Sequence, residues 1–152
     1  MFSSASAEGV DPFYPSVYGD VTDPDSVVEM VDGCLSHPQV AGIMHYHSAS
    51  TCVADKDSYE SIGSFGDGDI VETISEAFET HLSYRSVFGL AKDGRPVYTP
   101  LHSGGNVMGD CDVDVCNGFD LDGHYSYVTT LFHPYIVGCY GPGSMPNYSQ
   151  SC

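Results

Sequence analysis

Two histidines one residue apart are the first candidates for chemistry in this chain. In the stretch MHYHSASTC, residues 44–52, His45 and His47 flank Tyr46. Because the side chains of a strand alternate between its faces, both imidazoles would point the same way. They would supply two nitrogen ligands for zinc or copper, with His124 or an aspartate from another strand as a third. The alternative is that both rings lie in the interior, hydrogen-bonded to backbone groups and tyrosine hydroxyls.

A cluster of acidic residues is the second candidate site. Three aspartates alternate on one face of a predicted strand and two follow a Cys-Asn-Gly turn; they are Asp110, Asp112, Asp114, Asp120 and Asp122. Carboxylates at this density are the ligands that calcium binds. An EF-hand loop is excluded, because Val115 stands at its glycine position and Leu121 at its glutamate position. The alternative is a solvated acidic edge that keeps the sheet from pairing with neighbours.

Sequence motifs of catalysis are missing. The chain has no G-x-S-x-G elbow, no H-E-x-x-H pair and no glycine-rich phosphate loop followed by lysine. Cysteine nucleophiles are excluded as well if the thiols are all paired. The sequence therefore favours a protein that is not an enzyme.

The cysteines predict an oxidising compartment. They form an even set without a C-x-x-C pair, spread over the chain: Cys34, Cys52, Cys111, Cys116, Cys139 and Cys152. Such scatter is typical of disulfides in secreted proteins, and fifteen pairings are possible. We favour Cys34 with Cys52 and Cys116 with Cys139, because each pair brackets one strand-like segment.

Other features agree with an extracellular or cell-surface location. Ala5-Ser6-Ala7 has the small-x-small pattern of a signal cleavage site, which would make the N-terminus the stub of a longer precursor. Asn147 begins a glycosylation acceptor sequence, relevant if a eukaryote secretes the chain. The chain contains no run of 18 apolar residues, so no transmembrane segment is predicted. The net charge of −17, from 21 acidic and four basic side chains, repels nucleic acid and anionic membranes.

The elements expected to position these groups are mostly strands. Residues 84–100 read as a hairpin whose turn is Asp93-Gly94, and residues 124–132 and 135–140 read as two more strands. Apolar residues at helical spacing predict an amphipathic helix from Ile70 to Leu82, and a capped short helix is predicted within 22–33. We therefore expect one α+β domain, a largely antiparallel sheet with the main helix packed on one face.

Four blocks of the chain carry a resemblance to a known family. They read GCLSHPQVAGIMHYHSASTC, GLAKDGRPVYTP, DVDVCNG and HYSYVTTLFHPYIVGCYGPG, and they span Gly33 to Gly143. In these blocks the chain resembles the YHYH domain, which is named for a Tyr-His-Tyr-His motif, and departs from its pattern at Ser36, Met44 and Thr99. The resemblance implies a secreted or surface-attached domain and implies no reaction.

The chain accordingly divides into an extended arm (1–25), a YHYH-like domain (26–143) and a tail (144–152). Aromatic residues of the arm and tail would be exposed in a monomer: Phe13, Tyr14, Tyr18 and Tyr148. We expect them to contact a neighbouring copy. The leading hypothesis is a non-catalytic extracellular structural subunit that forms a filament or surface layer. The alternatives are a small metal-binding protein, holding zinc, copper or calcium, and a carbohydrate-binding module whose partners are glycans.

Overall fold

The structure, a computed structural model, describes Cys34 and residues 36–38, 41–46, 49–54 and 84–144. The predicted arm, the two predicted helices, all of the tail except Ser144, and residues His47, Cys152, Asn147, Phe13, Tyr14, Tyr18 and Tyr148 lie outside the described residues. Predictions for them stay predictions.

Six short strands are found in the described part of the chain. In chain order the elements are β1 (Ser36–Pro38), β2 (Met44–Tyr46), α1 (Thr51–Ala54), β3 (Val87–Leu90), β4 (Pro96–Tyr98), a 3-10 turn (Asp110–Asp112), β5 (Gly118–Leu121) and β6 (His124–Val128). Strands β1 and β2 pair as an antiparallel ribbon. The other four form a sheet in the order β3-β4-β6-β5.

Local turn chemistry builds the two hairpins of this sheet. Between β3 and β4, Gly94 has φ +86 and donates to the Ala91 carbonyl at 3.0 Å, while Ala91 donates to the Arg95 carbonyl at 2.9 Å. Such a turn favours glycine because other residues are strained at positive φ. The hairpin predicted at Asp93-Gly94 is confirmed.

The second hairpin has a two-residue turn between β5 and β6. Asp122 and Gly123 have φ of 54 and 82, which is the left-handed pair that matches the twist of the flanking strands. The Asp120 carboxylate accepts the Gly123 N–H at 2.9 Å and stabilises the turn.

The predicted α+β architecture is wrong for the described residues. Their helical content is limited to α1 and the 3-10 turn, each three or four residues long, and α1 lies near the edge strand β3. The sheet is mixed, because β6 joins β4 in parallel with Val97 opposite Tyr127. This pairing joins segments that lie about 30 residues apart in sequence, a distance over which turn signals carry no information.

Two predicted strands are also wrong. Residues 135–140 form bends and irregular loop rather than a strand, and Tyr135 has φ 60 and donates its N–H to the Phe132 carbonyl at 2.8 Å. The acidic segment is not a strand either, since Asp110–Asp112 is a 3-10 turn. There the Asp112 carboxylate accepts the Gly109 N–H at 2.7 Å, a local bond that competes with strand pairing.

The core lies on both faces of the four-stranded sheet. One face buries Phe88, Val97, Cys116 and Tyr127. The other carries a cluster of Met108, Val113 and Val128. The alternation of side chains along β6 explains the division, because Tyr127 and Val128 point to opposite faces.

Two disulfides fix the described residues, and both predicted pairings are confirmed. Cys34 is joined to Cys52, with Cα atoms 5.6 Å apart, and Cys116 to Cys139, with Cα atoms 4.6 Å apart. Cys111 is disulfide-bonded as well. These crosslinks are compatible with a secreted protein. Among the described residues, no helix has the length and apolar character needed to cross a bilayer.

Candidate functional site

Two of the three histidines predicted to bind metal, His45 and His124, lie in different elements. His45 is on β2, 9% exposed, with Nδ1 3.2 Å from the Ile43 carbonyl oxygen. His124 is exposed at the start of β6, in the other sheet. Within the described segments, no three His, Cys, Asp or Glu side chains form a group that could hold a metal ion. His45 thus has the backbone contact that the interior alternative requires.

The predicted calcium ligands are distributed over separate turns. Asp110 and Asp112 belong to the 3-10 turn, where the Asp112 carboxylate also lies 3.1 Å from Nε2 of His102. Asp120 and Asp122 form the β5–β6 turn. The Asp112 and Asp120 carboxylates each accept a backbone N–H of their own turn, and these four aspartates lie in two separate turns.

Asp114 differs from the other aspartates, because it is buried and its carboxylate accepts four hydrogen bonds. Oδ1 accepts the N–H groups of Cys116 at 2.8 Å and Gly118 at 2.9 Å. Oδ2 accepts the Tyr125 hydroxyl at 2.7 Å and the Gly143 N–H at 2.6 Å. Four donors offset the cost of burying a charge at 7% exposure. The carboxylate thereby ties β5, β6 and the 141–144 segment together.

A second tyrosine–aspartate pair lies on the same face of β6. The Tyr127 hydroxyl donates to Asp93 Oδ2 at 2.7 Å and accepts the Gly141 N–H at 3.0 Å. Arg95 Nη1 donates to the same Asp93 oxygen at 3.0 Å and to the Gly141 carbonyl at 3.2 Å. Its guanidinium carbon lies 5.2 Å from the centre of the Tyr125 ring. The two tyrosine rings meet edge to face at 5.3 Å, so the pairs form one network.

The protonation states of this network are fixed by its contacts. Burial and the hydrogen bond to Asp114 raise the pKa of Tyr125, and burial and the bond to Asp93 raise the pKa of Tyr127. Burial alone would raise the pKa of Asp93, but hydrogen bonds from Tyr127 and Arg95 outweigh it and lower that pKa. Both phenols are therefore neutral donors at pH 7, and neither can act as a base there.

A groove opens where the two hairpin turns lie side by side. Because β4 and β6 run parallel, the turns that precede them meet at one end of the sheet. The groove has a volume of about 670 Å³, within the usual range for ligand sites. Its polar lining residues are Arg95, Tyr98, Asp122, His124, Tyr125 and Ser126.

The two edges of the four-stranded sheet differ in chemistry. Among the described residues, β3 and β5 each pair with a strand on one side only. Edge strand β3 exposes Val87 by 61% and Leu90 by 75%, and Tyr84 just before it is 64% exposed. Edge strand β5 exposes Asp120 instead.

Matching the chain to protein-family models, to curated proteins and to solved structures finds no similar protein. The resemblance to the YHYH domain therefore stays a prediction.

Proposed function

We propose that the chain is a non-catalytic extracellular module that assembles with copies of itself through the β3 edge. The carrying observation is the exposure of Val87 and Leu90 on an edge strand. An edge strand offers unpaired N–H and C=O groups, and proteins usually guard it with charged side chains or proline. Strand β3 carries two large apolar side chains instead, which is the composition of a strand that pairs with another chain.

The tyrosine–aspartate network supports a non-catalytic role. Its phenols and carboxylates are engaged with one another and with backbone N–H groups. A catalytic acid or base needs a pKa near the working pH and room for substrate at the reacting atom. Here the network holds loops against the sheet, as a rigid building block requires.

The secreted location is supported by the disulfides at Cys34–Cys52 and Cys116–Cys139. Disulfides persist outside the reducing cytosol, and an assembly exposed to the environment gains from covalent crosslinks. The high negative charge would keep dispersed copies soluble until a specific edge contact forms.

Sedimentation velocity over a concentration series tests self-assembly. We expect the wild-type protein to associate as its concentration rises to about 1 mM, a range that detects even weak contacts. The V87E/L90E variant should stay monomeric, because its two glutamates would repel an acidic partner surface. If β3 contacts a second β3, four added negative charges would meet there. A matched control, M44E/Y140E, places the same change at exposed apolar residues off β3 and should behave as the wild type. A wild-type monomer throughout would contradict the proposal.

The groove favours carbohydrate binding as a second candidate function. It combines the Tyr98 ring with the planar polar side chains of Arg95 and Asp122, a mixture suited to the faces and hydroxyls of sugars. A glycan array followed by calorimetry with the strongest hit tests it. H124A should weaken that binding at least tenfold, and H102A, a histidine outside the groove, should leave it unchanged. No hit on the array would remove this candidate.

A further inference from the structure

We infer that the groove between the two hairpin turns binds residues 8–25, the proline-rich acidic part of the arm, of a second copy. This rests on the proposed self-assembly and names the segment of the second copy that makes the contact and the surface that receives it. Three kinds of observation carry it: the face on which the groove lies, the charges and hydrogen-bonding groups on that face, and the sequence of the arm.

The groove lies on one face of the four-stranded sheet and continues into the exposed apolar side chains of β3. Tyr98 of β4 and Ser126 of β6 line the groove, and the strand register puts both on the same face. Val87 pairs with Tyr98, and Leu90 pairs with Pro96, so these two side chains share that face as well. At 61% and 75% exposure, Val87 and Leu90 therefore extend the groove by an apolar surface.

Basic side chains are concentrated beside this face, although the whole chain carries −17. Three of the four basic residues lie within residues 84–96, together with one aspartate: Arg85, Lys92 and Arg95. The Arg85 guanidinium lies 5.8 Å from the centre of the Tyr98 ring, and with the described residues it forms no ion pair. Its charge is thus available to a carboxylate of a ligand, and an acidic segment suits this surface.

The floor of the groove offers a hydrogen-bonding group to a bound backbone. Ser126 is only 2% exposed, and its hydroxyl makes a 3.4 Å contact with the His124 carbonyl. This is well beyond the roughly 2.8 Å typical of hydroxyl hydrogen bonds. A proline-rich segment has carbonyl groups without internal partners, so one of them can accept a bond from this hydroxyl.

Residues 8–25, which lie outside the described residues, have the complementary composition. They carry five carboxylates and no Lys or Arg: Glu8, Asp11, Asp20, Asp23 and Asp25. Pro12 and Pro15 enclose Phe13 and Tyr14 in the P-x-x-P spacing, which docks in grooves lined by aromatic residues. The arm would place these side chains on the apolar part of the groove and its carboxylates beside the arginines.

A contact between arm and groove joins two different surfaces of the chain. Each copy can therefore give its arm to one neighbour and receive the arm of another. Contacts of this kind build closed rings or open filaments, according to whether the rotation between copies closes. Assembly also becomes compatible with the high negative charge, because the acidic arm meets the most basic region of its neighbour.

Complementation between two full-length variants tests the contact. The arm variant F13A/Y14A keeps the groove intact, and the groove variant Y98A/H124E keeps the arm intact. Sedimentation equilibrium should show each variant alone as a monomer at about ten times the wild-type dissociation constant, because association falls with the lost contact. The equimolar mixture should form a 1:1 dimer, since one variant still donates an arm and the other still offers a groove.

Controls separate the contact from the fold and from net charge. The matched variant Y140A/N106E makes the same changes at exposed residues outside the groove and should associate like the wild type. Circular dichroism checks that every variant is folded. If Y98A/H124E is unfolded, the single variant H124E takes its place, because this lining residue is exposed and its glutamate would repel the acidic arm.

The outcomes separate this inference from the proposed function. If either folded variant alone associates like the wild type, its altered surface is not in the contact, and the inference is overturned while self-assembly stands. A dispensable groove would then be left to sugars. If both variants and their mixture are monomeric, arm and groove do not bind each other, and the inference is again overturned. If the wild type never associates, the proposed function fails and the inference fails with it.

Discussion

The Tyr125 hydroxyl donates a 2.7 Å hydrogen bond to the Asp114 carboxylate, which also accepts three backbone N–H groups. The bond connects β6 to the loop before β5 and, through Gly143, to the C-terminal end of the described residues. Removing either partner exposes how much the fold depends on it.

Replacing Asp114 by alanine should cost more stability than replacing Tyr125 by phenylalanine. Y125F removes one of four bonds to a buried carboxylate and should lower the free energy of unfolding by about 1–3 kcal/mol. D114A leaves four donors without their acceptor and should cost more than about 3 kcal/mol. Urea unfolding measures both, with Y98F as a control outside the network. Equal losses for D114A and Y98F would contradict this role of Asp114.

Glycine is required at position 118 because of the same tyrosine. A Cβ at Gly118 would overlap the Tyr125 hydroxyl and ring, whereas a Cβ at Gly104 would meet nothing within 4 Å. G118A should therefore lower the free energy of unfolding by about 1–3 kcal/mol or more, as overpacking does. G104A should change it by less than about 0.5 kcal/mol, the usual range for surface substitutions. Thermal and urea unfolding of the two variants measure the contrast, and similar losses would refute the packing argument.

Asp93 should make stability depend on acidic pH. Its folded pKa is lowered below the ordinary value of 3.8, so the unfolded chain takes up the proton first. The stabilisation is therefore full above about pH 4 and is lost as the pH falls through the lower folded pKa. Urea unfolding between pH 2 and 6 should show the wild type losing stability toward acid more steeply than D93N. Parallel pH profiles of the two proteins would contradict the assigned contacts.

The two network tyrosines should make stability fall in alkali. Because their folded pKa values are raised above 10.0, the unfolded chain loses these protons first, and stability is lost as the pH rises above about 10. In a spectrophotometric titration Tyr125 and Tyr127 should contribute absorbance that appears only well above pH 10. In Y125F/Y127F the late-titrating absorbance should vanish. If the late-titrating absorbance persists in this variant, it comes from other tyrosines and the prediction is contradicted.

Local signals in the sequence predicted the parts of the fold that local chemistry decides. The Asp93-Gly94 turn follows from the φ values that glycine tolerates, and the hairpin is present. The Cys34–Cys52 and Cys116–Cys139 pairs followed from a bracketing argument and are present. The β5–β6 hairpin was not predicted, although Asp122-Gly123 is the same turn dipeptide as Asp93-Gly94 and could have indicated it.

Contacts between distant segments were beyond the sequence patterns. The composition of residues 135–140 is typical of a strand, yet Tyr135 is left-handed and its carbonyl accepts the Thr130 N–H at 2.8 Å, which bends the chain there. The Asp114 site depends on Gly143, which lies 29 residues further along, so spacing alone could not find it. The alternation of Asp110, Asp112 and Asp114 predicted that they share one face of a strand. In the structure the Asp112 carboxylate accepts a hydrogen bond within a 3-10 turn, so no strand forms there.

The exchange rate of the Leu90 amide proton, followed by hydrogen–deuterium exchange as protein concentration rises, tests the central claim most directly. The Leu90 N–H points away from β4, so a partner strand at the β3 edge would bond it. We expect exchange at Leu90 to slow at least tenfold between about 10 μM and 1 mM, concentrations that span weak association. The Asp120 amide on β5, the other edge strand of the sheet, should exchange at the same rate at every protein concentration. An unchanged Leu90 rate over the whole series would contradict assembly through β3.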